Sequence, residues 1–564
     1  MKAIERTLQQ MLVSAEQYVI PVFQRYYTWE RKNWAQLWDD IIELKEDAKP
    51  RHFMGAIVCV PERPQPGNIV AFQVIDGQQR LVTLSLLLSA MRDLALKEKW
   101  DDLAGEIEES YLIHKYRNAR ERYKLFPRLR DRGSYLQIID KKISDHQGQI
   151  AAAYVYHKKR LDKEGFTATR DDLRSFFQLV ALRLDFVAIT LDEENPYKIF
   201  RSLNSTGVDL EEGDLIRNQV FMSLNIDDQD AFDDDYWRPL EQHFYEDGKL
   251  NGKQFAQFFR DVLMKDGAYV PAKGIFDAFE VKFPIPLDSR QLVGELSTLA
   301  LDHNYMRGAT RHPDAKIAEA LSHVLDLGAT TAFPLLLALF DLQREQKLMP
   351  DQLRVACRAI SSFVFRRYVC NHTSKPYSRW FCTAAKVVRD SSLEGLLEFL
   401  LSKGWPTNEE FKQGFLTLSI YESPYARAVL SAIERSIQRP AETVDLSGCT
   451  IEHIMPQTIH PGDEDGDAWI EALGDNWQIE HLKWLHTPGN LTLVGSDYNI
   501  EMRNGAFSDK RRLLTNSKVY LNQYFSGQEV ADWNVGQIKK RCEYLSRVAV
   551  KIWPGPDHGS DDVV

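Results

Sequence analysis

Two rhythms of hydrophobic and polar positions run along this chain. A helical spacing places Trp34, Leu37, Trp38, Ile41 and Ile42 on one face, and later Leu81, Leu84, Leu88, Met91 and Leu94 on another. Short β-branched runs interrupt it and predict strands over residues 55–60, 71–75 and 186–191. From about residue 225 to 420 the pattern is amphipathic helices joined by polar turns, with residues 335–340 apolar enough to read as core. Near the C-terminus two more short strands are predicted, over 449–454 and 490–494, followed by a helix capped around Gly495-Ser496-Asp497. The mixture predicts an α+β fold, predominantly helical. No internal repeat and no long low-complexity linker appears.

At 564 residues the chain is too long for one core, and length alone suggests about three or four domains. The helical middle separates two outer regions, and a flexible tail is expected over 551–564. Hydrophobic content of 44% and charged content of 27% exclude a disordered chain. No apolar run reaches the roughly 18 residues of a membrane span, and the N-terminus lacks a signal-type apolar stretch. The six cysteines have no CxxC spacing, which argues against a zinc ribbon or a disulfide framework. A cytoplasmic protein is expected. The net charge of −11 is unfavourable for plain phosphate binding, so a nucleic-acid partner would have to meet local basic patches. Arg503, Lys510, Arg511, Arg512 and Lys518 form the densest one. Arg366-Arg367, ending an apolar helix, could meet phosphates or complement a helix C-terminus. The acidic runs at 227–230 and 233–235 read as a solvated face.

Two places carry candidate chemistry. In the first, the strand over 71–75 runs into Asp76-Gly77-Gln78-Gln79-Arg80 and then a helix. Strand, glycine turn and helix N-terminus aim unpaired backbone N–H groups at an anion. Gln78 and Gln79 add neutral donors, and Arg80 adds a bidentate clamp. The same residues also make an ordinary tight turn with a surface ion pair. A second loop, Asn204-Ser205-Thr206-Gly207, could touch phosphate or cap the helix that follows it. No GxxxxGK[ST] loop is present.

The second place is Glu452-His453-Ile454-Met455-Pro456-Gln457, then Gly489-Asn490-Leu491-Thr492-Leu493, then Asn499. Strand, strand, helix is the ββα-metal unit. A neutral histidine can take a proton from water near pH 7, its ordinary pKa being about 6.5. Glu452 and Asn499 offer oxygens for Mg²⁺ or Mn²⁺, which would offset charge on a phosphorane and a leaving oxygen. Asn490 would fix the loop and the His453 ring, and Lys510 is a candidate phosphate contact. Strand alternation puts Glu452 and His453 on opposite faces, so a bulge or loop would be needed to unite them. His460, His481 and His486 fall in or at the edge of the 37-residue step between His453 and Asn490. That step reads as helical decoration.

These motifs carry a family resemblance. Pro21, Gln24, Arg25, Tyr27 and Trp29, then Phe53-x-Gly55, the Asp76–Arg80 run, and Asn204-Ser205-x-Gly207 with Leu210, Asp214 and Leu215 resemble the ParB-like domain of GmrSD-type proteins. These are modification-dependent (type IV) restriction endonucleases and relatives in phage defence. Residues 420–550, through His453, Pro456, Gly489–Leu493, Asn499, Asn504, Phe507 and Lys510, resemble the HNH (His-Me finger) nuclease domain of the same family. The resemblance sets the divisions at 1–220, 221–420 and 421–550, and implies an N-terminal ParB-like α/β domain, a helical middle and a C-terminal HNH domain. It implies a nucleoside triphosphate site, for GTP or UTP, at Asp76, Gly77, Gln78, Gln79 and Arg80 with Gln24, Arg25 and Asn204 nearby. The expected function is a phage-defence endonuclease that nicks or cuts DNA, modified phage DNA above all, under nucleotide control. One HNH site cuts one strand, so a double-strand break needs a homodimer or two events. The alternatives are a non-catalytic, nucleotide-dependent DNA-binding regulator and an RNA-cutting toxin.

Overall fold

A computed structural model describes residues 2–21, 24, 26–46, 51–62, 69–142, 148–166, 168–191, 211–224, 226–438 and 444–556. Most of these residues are helical and the strands are few, so the fold is α+β and predominantly helical. The chain divides into two compact units, Met1–Ala256 with Phe276–Glu295, and Gln257–Ile275 with Leu296–Val564. The helical middle is shared between them.

The first unit is built on a six-stranded mixed sheet. Its strands are β1 (Lys2–Thr7), β2 (Glu16–Val19), β3 (His52–Pro61), β4 (Val70–Asp76), β5 (Leu125–Phe126) and β6 (Leu184–Thr190), in the order β1-β6-β3-β4-β2-β5. β3 runs antiparallel to β4 and parallel to β6. The helix Gln78–Lys97 leaves the end of β4 and is buried almost throughout, Leu81, Leu84, Leu88, Met91 and Leu94 included. A helix apolar on most sides belongs inside a core, and here it packs among the helices of the same hydrophobic cluster. The strands predicted at 55–60, 71–75 and 186–191 thus belong to one sheet.

The acidic segment differs from expectation at two of its described positions: Gln229 is buried and donates to the Phe221 carbonyl at 3.1 Å, and Asp233 turns inward. Asp234 and Asp235 are exposed, but Asp233 is buried and accepts from Arg217 at 2.5 Å. Arg217 is itself buried and also pairs with Glu241 at 2.6 Å. A buried guanidinium needs a counter-charge, so the segment turns one of its carboxylates inward. A short hairpin, β7 (Tyr245–Glu246) and β8 (Lys249–Leu250), follows.

In the second unit long helices surround one small hairpin, β9 (Cys449–His453) and β10 (Leu491–Gly495). Arg366 and Arg367 prove to be framework residues. Arg366 is fully buried and donates to the Trp553 carbonyl at 2.8 Å, the Pro406 carbonyl at 3.0 Å and Asn408 Oδ1 at 2.6 Å. Arg367 donates to the carbonyls of Lys403 and Gly404 at 2.7 and 3.0 Å. These bonds satisfy carbonyls around a helix end. The last helix, Val535–Ile552, leads to Trp553 and Pro554, both buried, and the Pro554 carbonyl accepts from Ser362 at 2.6 Å. All six cysteines are free. Among the described residues, no helix is long and apolar enough to cross a membrane.

One buried group makes the first unit acid-sensitive. His157 is fully buried against Trp38, and neither ring nitrogen has a hydrogen-bond partner. Burial pushes it down to about 3. An unfolded chain takes up this proton below about pH 6.5, whereas the folded one does not until about 3. Stability is therefore lost as pH falls through that window, by up to about 1.4 kcal/mol per pH unit. His157→Leu should flatten the fall of the urea midpoint between pH 6.5 and 4. An unchanged slope would mean that His157 is solvated or paired.

Candidate active site

At the N-terminal motif, Gly77 makes the turn between β4 and its helix with φ 91°, the left-handed region that favours glycine. A Cβ there would collide with Ile57. Gly55 has φ 100° where the pairing of β3 with β6 shifts register, and a Cβ there would collide with the Arg80 guanidinium. Arg80 Nη1 donates to the Met54 carbonyl at 2.5 Å, and its Nη2 lies 3.6 Å from Asp76. Phe53-x-Gly55 and Arg80 therefore form one local structure.

The glutamines have framework duties. Gln79 donates to the Tyr26 carbonyl at 3.0 Å and accepts from the Thr28 and Trp29 amides at 3.0 and 3.4 Å. Gln24 is buried, donates to the Ile75 carbonyl at 2.9 Å and accepts from Gln78 at 3.1 Å. They tie the 24–29 segment to the start of the 78–97 helix. Arg128 ties it again, donating to the Gln24 carbonyl with its guanidinium 3.5 Å from the Tyr26 ring centroid. Asp76 and Arg80, both partly exposed, remain as charged groups beside the helix N-terminus. Arg25, Asn204 and the whole 200–210 loop lie outside the described residues.

At the C-terminal motif, β9 and β10 pair without a break, from Cys449↔Gly495 to His453↔Leu491. No bulge intervenes, so alternation holds and neighbouring side chains face opposite ways. Thr450 and Glu452 share one face. There Asn499, on the helix Ser496–Met502, donates to Thr450 Oγ1 at 2.8 Å. Lys510, on the helix Phe507–Thr515, donates to Glu452 Oε1 at 2.7 Å and to the His453 carbonyl at 2.8 Å. The ammonium is 1% exposed, so Lys510 holds the hairpin end and is not presented to a phosphate. Burial pushes Glu452 up and Lys510 down, toward their neutral forms, and their contact opposes both shifts.

His453 turns the other way. Its Nε2 lies 3.1 Å from His486 Nδ1, and Gln457 Nε2 lies 3.0 Å from its Nδ1. Tyr421 meets the ring edge-on, with centroids 4.3 Å apart. Burial first, then nearby His486, Lys510 and His481, push His453 down to about 3. The ring is neutral at pH 7, as a proton acceptor must be.

Asn490 is fully buried. Its Oδ1 accepts from the Met455 amide at 2.7 Å and Trp533 Nε1 at 3.1 Å. Its Nδ2 donates to the carbonyls of Met455 and Leu485 at 3.1 and 2.9 Å. It fixes the loop after His453, while ring orientation falls to His486 and Gln457. His481 bonds the Pro456 carbonyl at 2.8 Å and His460 is exposed. Tyr421 is the residue that sequence reasoning missed, and His486, set aside there with the decoration between the motifs, stands beside His453. No local signal in the sequence marked either contact, because both are set by the packing of the 420–421 segment against the turn before β10.

Glu452 and Asn499 carry hard oxygens on the same hairpin face, the donor chemistry of Mg²⁺ or Mn²⁺, which keep waters and take substrate phosphates as further ligands. Among the described residues no group of three His, Cys, Asp or Glu side chains converges.

Comparison with known families agrees with this layout. A model described as the GmrSD restriction endonuclease, N-terminal domain, matches residues 8–221. A second, GmrSD restriction endonucleases, C-terminal domain, matches residues 405–548. The chain belongs to the GmrSD restriction endonuclease family. No curated protein matches it. Membership implies nuclease activity with DNA as partner. The first match covers strands β2 to β6 of the sheet and the Asp76–Arg80 turn, and the second covers the whole hairpin with His453, Asn490, Asn499 and Lys510.

The buried pair at the hairpin end generates a stability prediction. Removing one partner leaves an uncompensated buried charge, which costs about 3–5 kcal/mol. Lys510→Met should lower the urea midpoint accordingly, and Glu452→Gln in the same chain should restore part of it. Equal stability of Lys510→Met and the parent protein would place this ammonium in water.

Proposed function

We propose that this family member is a phage-defence DNA endonuclease that nicks or cuts DNA, modified phage DNA in particular, at an HNH site controlled by a nucleoside triphosphate in its N-terminal domain. The observation that carries the reading is the imidazole of His453, oriented by His486 and Gln457 at the end of a hairpin whose following loop is pinned by Asn490. Its chemistry is proton abstraction. His453 takes a proton from water as the water oxygen bonds to phosphorus. The phosphorus–oxygen bond opposite then breaks, and its electron pair leaves on an oxygen that takes a proton from solvent. A bound Mg²⁺ or Mn²⁺ would supply positive charge beside the phosphorane and the leaving oxygen. Glu452 and Asn499 have the oxygens for it, but they stand across β9 from His453, so serving the same phosphate would require the end of β9 to rearrange. Lys510 keeps Glu452 in position, and Asn490 keeps the loop beyond His453 from shifting.

For the nucleotide, GTP or UTP, Asp76 and Arg80 are the groups proposed to meet the phosphates and their metal, together with the first backbone N–H groups of the 78–97 helix. Gln24, Gln78 and Gln79 act one step removed, by holding the segment that packs on this turn. Arg25 and Asn204 stay in the proposal on the family motif alone.

A specific observation favours a second reading, a nucleotide-dependent DNA-binding regulator. Both nitrogens of His453 and one oxygen of Glu452 already have protein partners. The test is incubation with plain duplex, modified phage DNA and RNA, with Mg²⁺, Mn²⁺ or EDTA, and with GTP, UTP or neither. Cleavage of DNA should need a divalent ion and respond to one nucleotide. His453→Ala should lose cleavage at least about 100-fold, the scale of general base catalysis, and keep nucleotide hydrolysis. Arg80→Ala should do the reverse to the nucleotide step. Full cleavage by His453→Ala would reject the base, and cleavage of RNA alone would reject the substrate.

A further inference from the structure

We propose that His486 is a positioning residue for His453, holding the ring through Nε2 so that Nδ1 is the atom that accepts the proton from water. The inference rests on the reading of His453 as the base and adds a residue outside the motif that suggested it.

A neutral imidazole has one donor and one acceptor nitrogen, and the partner of one decides the task of the other. The Gln457 amide donates to His453 Nδ1 at 3.0 Å, so Nδ1 carries the lone pair. The proton then sits on Nε2, which lies 3.1 Å from His486 Nδ1 and donates to it. These assignments follow from the hydrogen-bond network, and they are mutually consistent, with one proton between the rings.

The two partners of His453 differ in how firmly they are held. Gln457 is an exposed side chain in the loop after β9. His486 is half-buried, and its ring stacks on Tyr421 with centroids 5.2 Å apart and planes at 7°. Its carbonyl accepts from the Ile420 amide at 2.9 Å, which fixes the wall carrying Tyr421. Of the two, Gln457 is the one an incoming water can replace, and His486 is the one that stays. When the water arrives, the Gln457 contact to Nδ1 is exchanged for a water O–H, and the ring keeps its direction because Nε2 is still held.

Two substitutions separate this role from packing. His486→Asn keeps a polar atom where Nδ1 stood, and His486→Phe keeps the ring against Tyr421 without it. On the DNA that the parent protein cuts, kcat should fall about 10- to 100-fold in His486→Phe, part of the range for a general base. KM should change less than about twofold, and His486→Asn should stay within about threefold of the parent on the same scale. Parent-like cleavage by His486→Phe, or equal loss in both variants, overturns the inference. The ¹⁵N shifts of the His453 ring in the parent protein give a reading that needs no variant. They should report a proton on Nε2, and a proton on Nδ1 overturns the proposal. His453→Ala is measured alongside. If it still cleaves, the base assignment itself falls. If it is inactive while His486→Phe is fully active, only the role of His486 falls.

Discussion

The second unit depends on an asparagine that has no hydrogen-bonding capacity left. Both acceptor positions and both donor positions of Asn490 are used, by Met455 twice, Leu485 and Trp533. A fully buried amide is tolerable only when satisfied in this way. The consequence is geometric. Asn490 stands immediately before β10, and its bonds to Met455 close the far end of the hairpin, just beyond His453. His453 therefore stands at the end of a strand whose following loop cannot slide.

Around this point the hairpin keeps its two faces chemically apart. One face is charged and hard, with Glu452, Lys510 and the Asn499 amide. The other is aromatic, with His453 among Tyr421 and His486. The unbroken register enforces the separation, because a strand has no way to turn adjacent side chains to one side without a bulge. Lys510 bridges the faces through the backbone, since the same ammonium holds a carboxylate from one and the carbonyl of the residue that bears the other. A charge that looks available to phosphate in the sequence is spent on architecture.

The N-terminal motif follows a similar logic. Two glycines at positive φ make room, one for the turn beneath the helix and one for the Arg80 guanidinium. The glutamines between them hold backbone. A motif that reads as a row of ligands is in good part scaffold, and the charged groups left partly exposed narrow to Asp76 and Arg80 beside the helix end.

The elements were legible because their causes are local. Periodicity, β-branching and glycine turns marked β3, β4, β6, β9, β10 and the 78–97 helix, and the family motifs marked both sites. Partnership was not legible. Lys510 meets Glu452 across 58 residues, Arg366 meets Trp553 across 187, and Asp233 turns inward to an arginine 16 residues before it. The sequence by itself determined which residues could do chemistry: a histidine that can take a proton, oxygens that suit a hard cation, an arginine that suits phosphate. The tertiary structure decided which of them are committed elsewhere and which stay available. Desolvation in a packed interior obliges every buried charge and amide to find a partner, and that partner is set by the packing of distant segments.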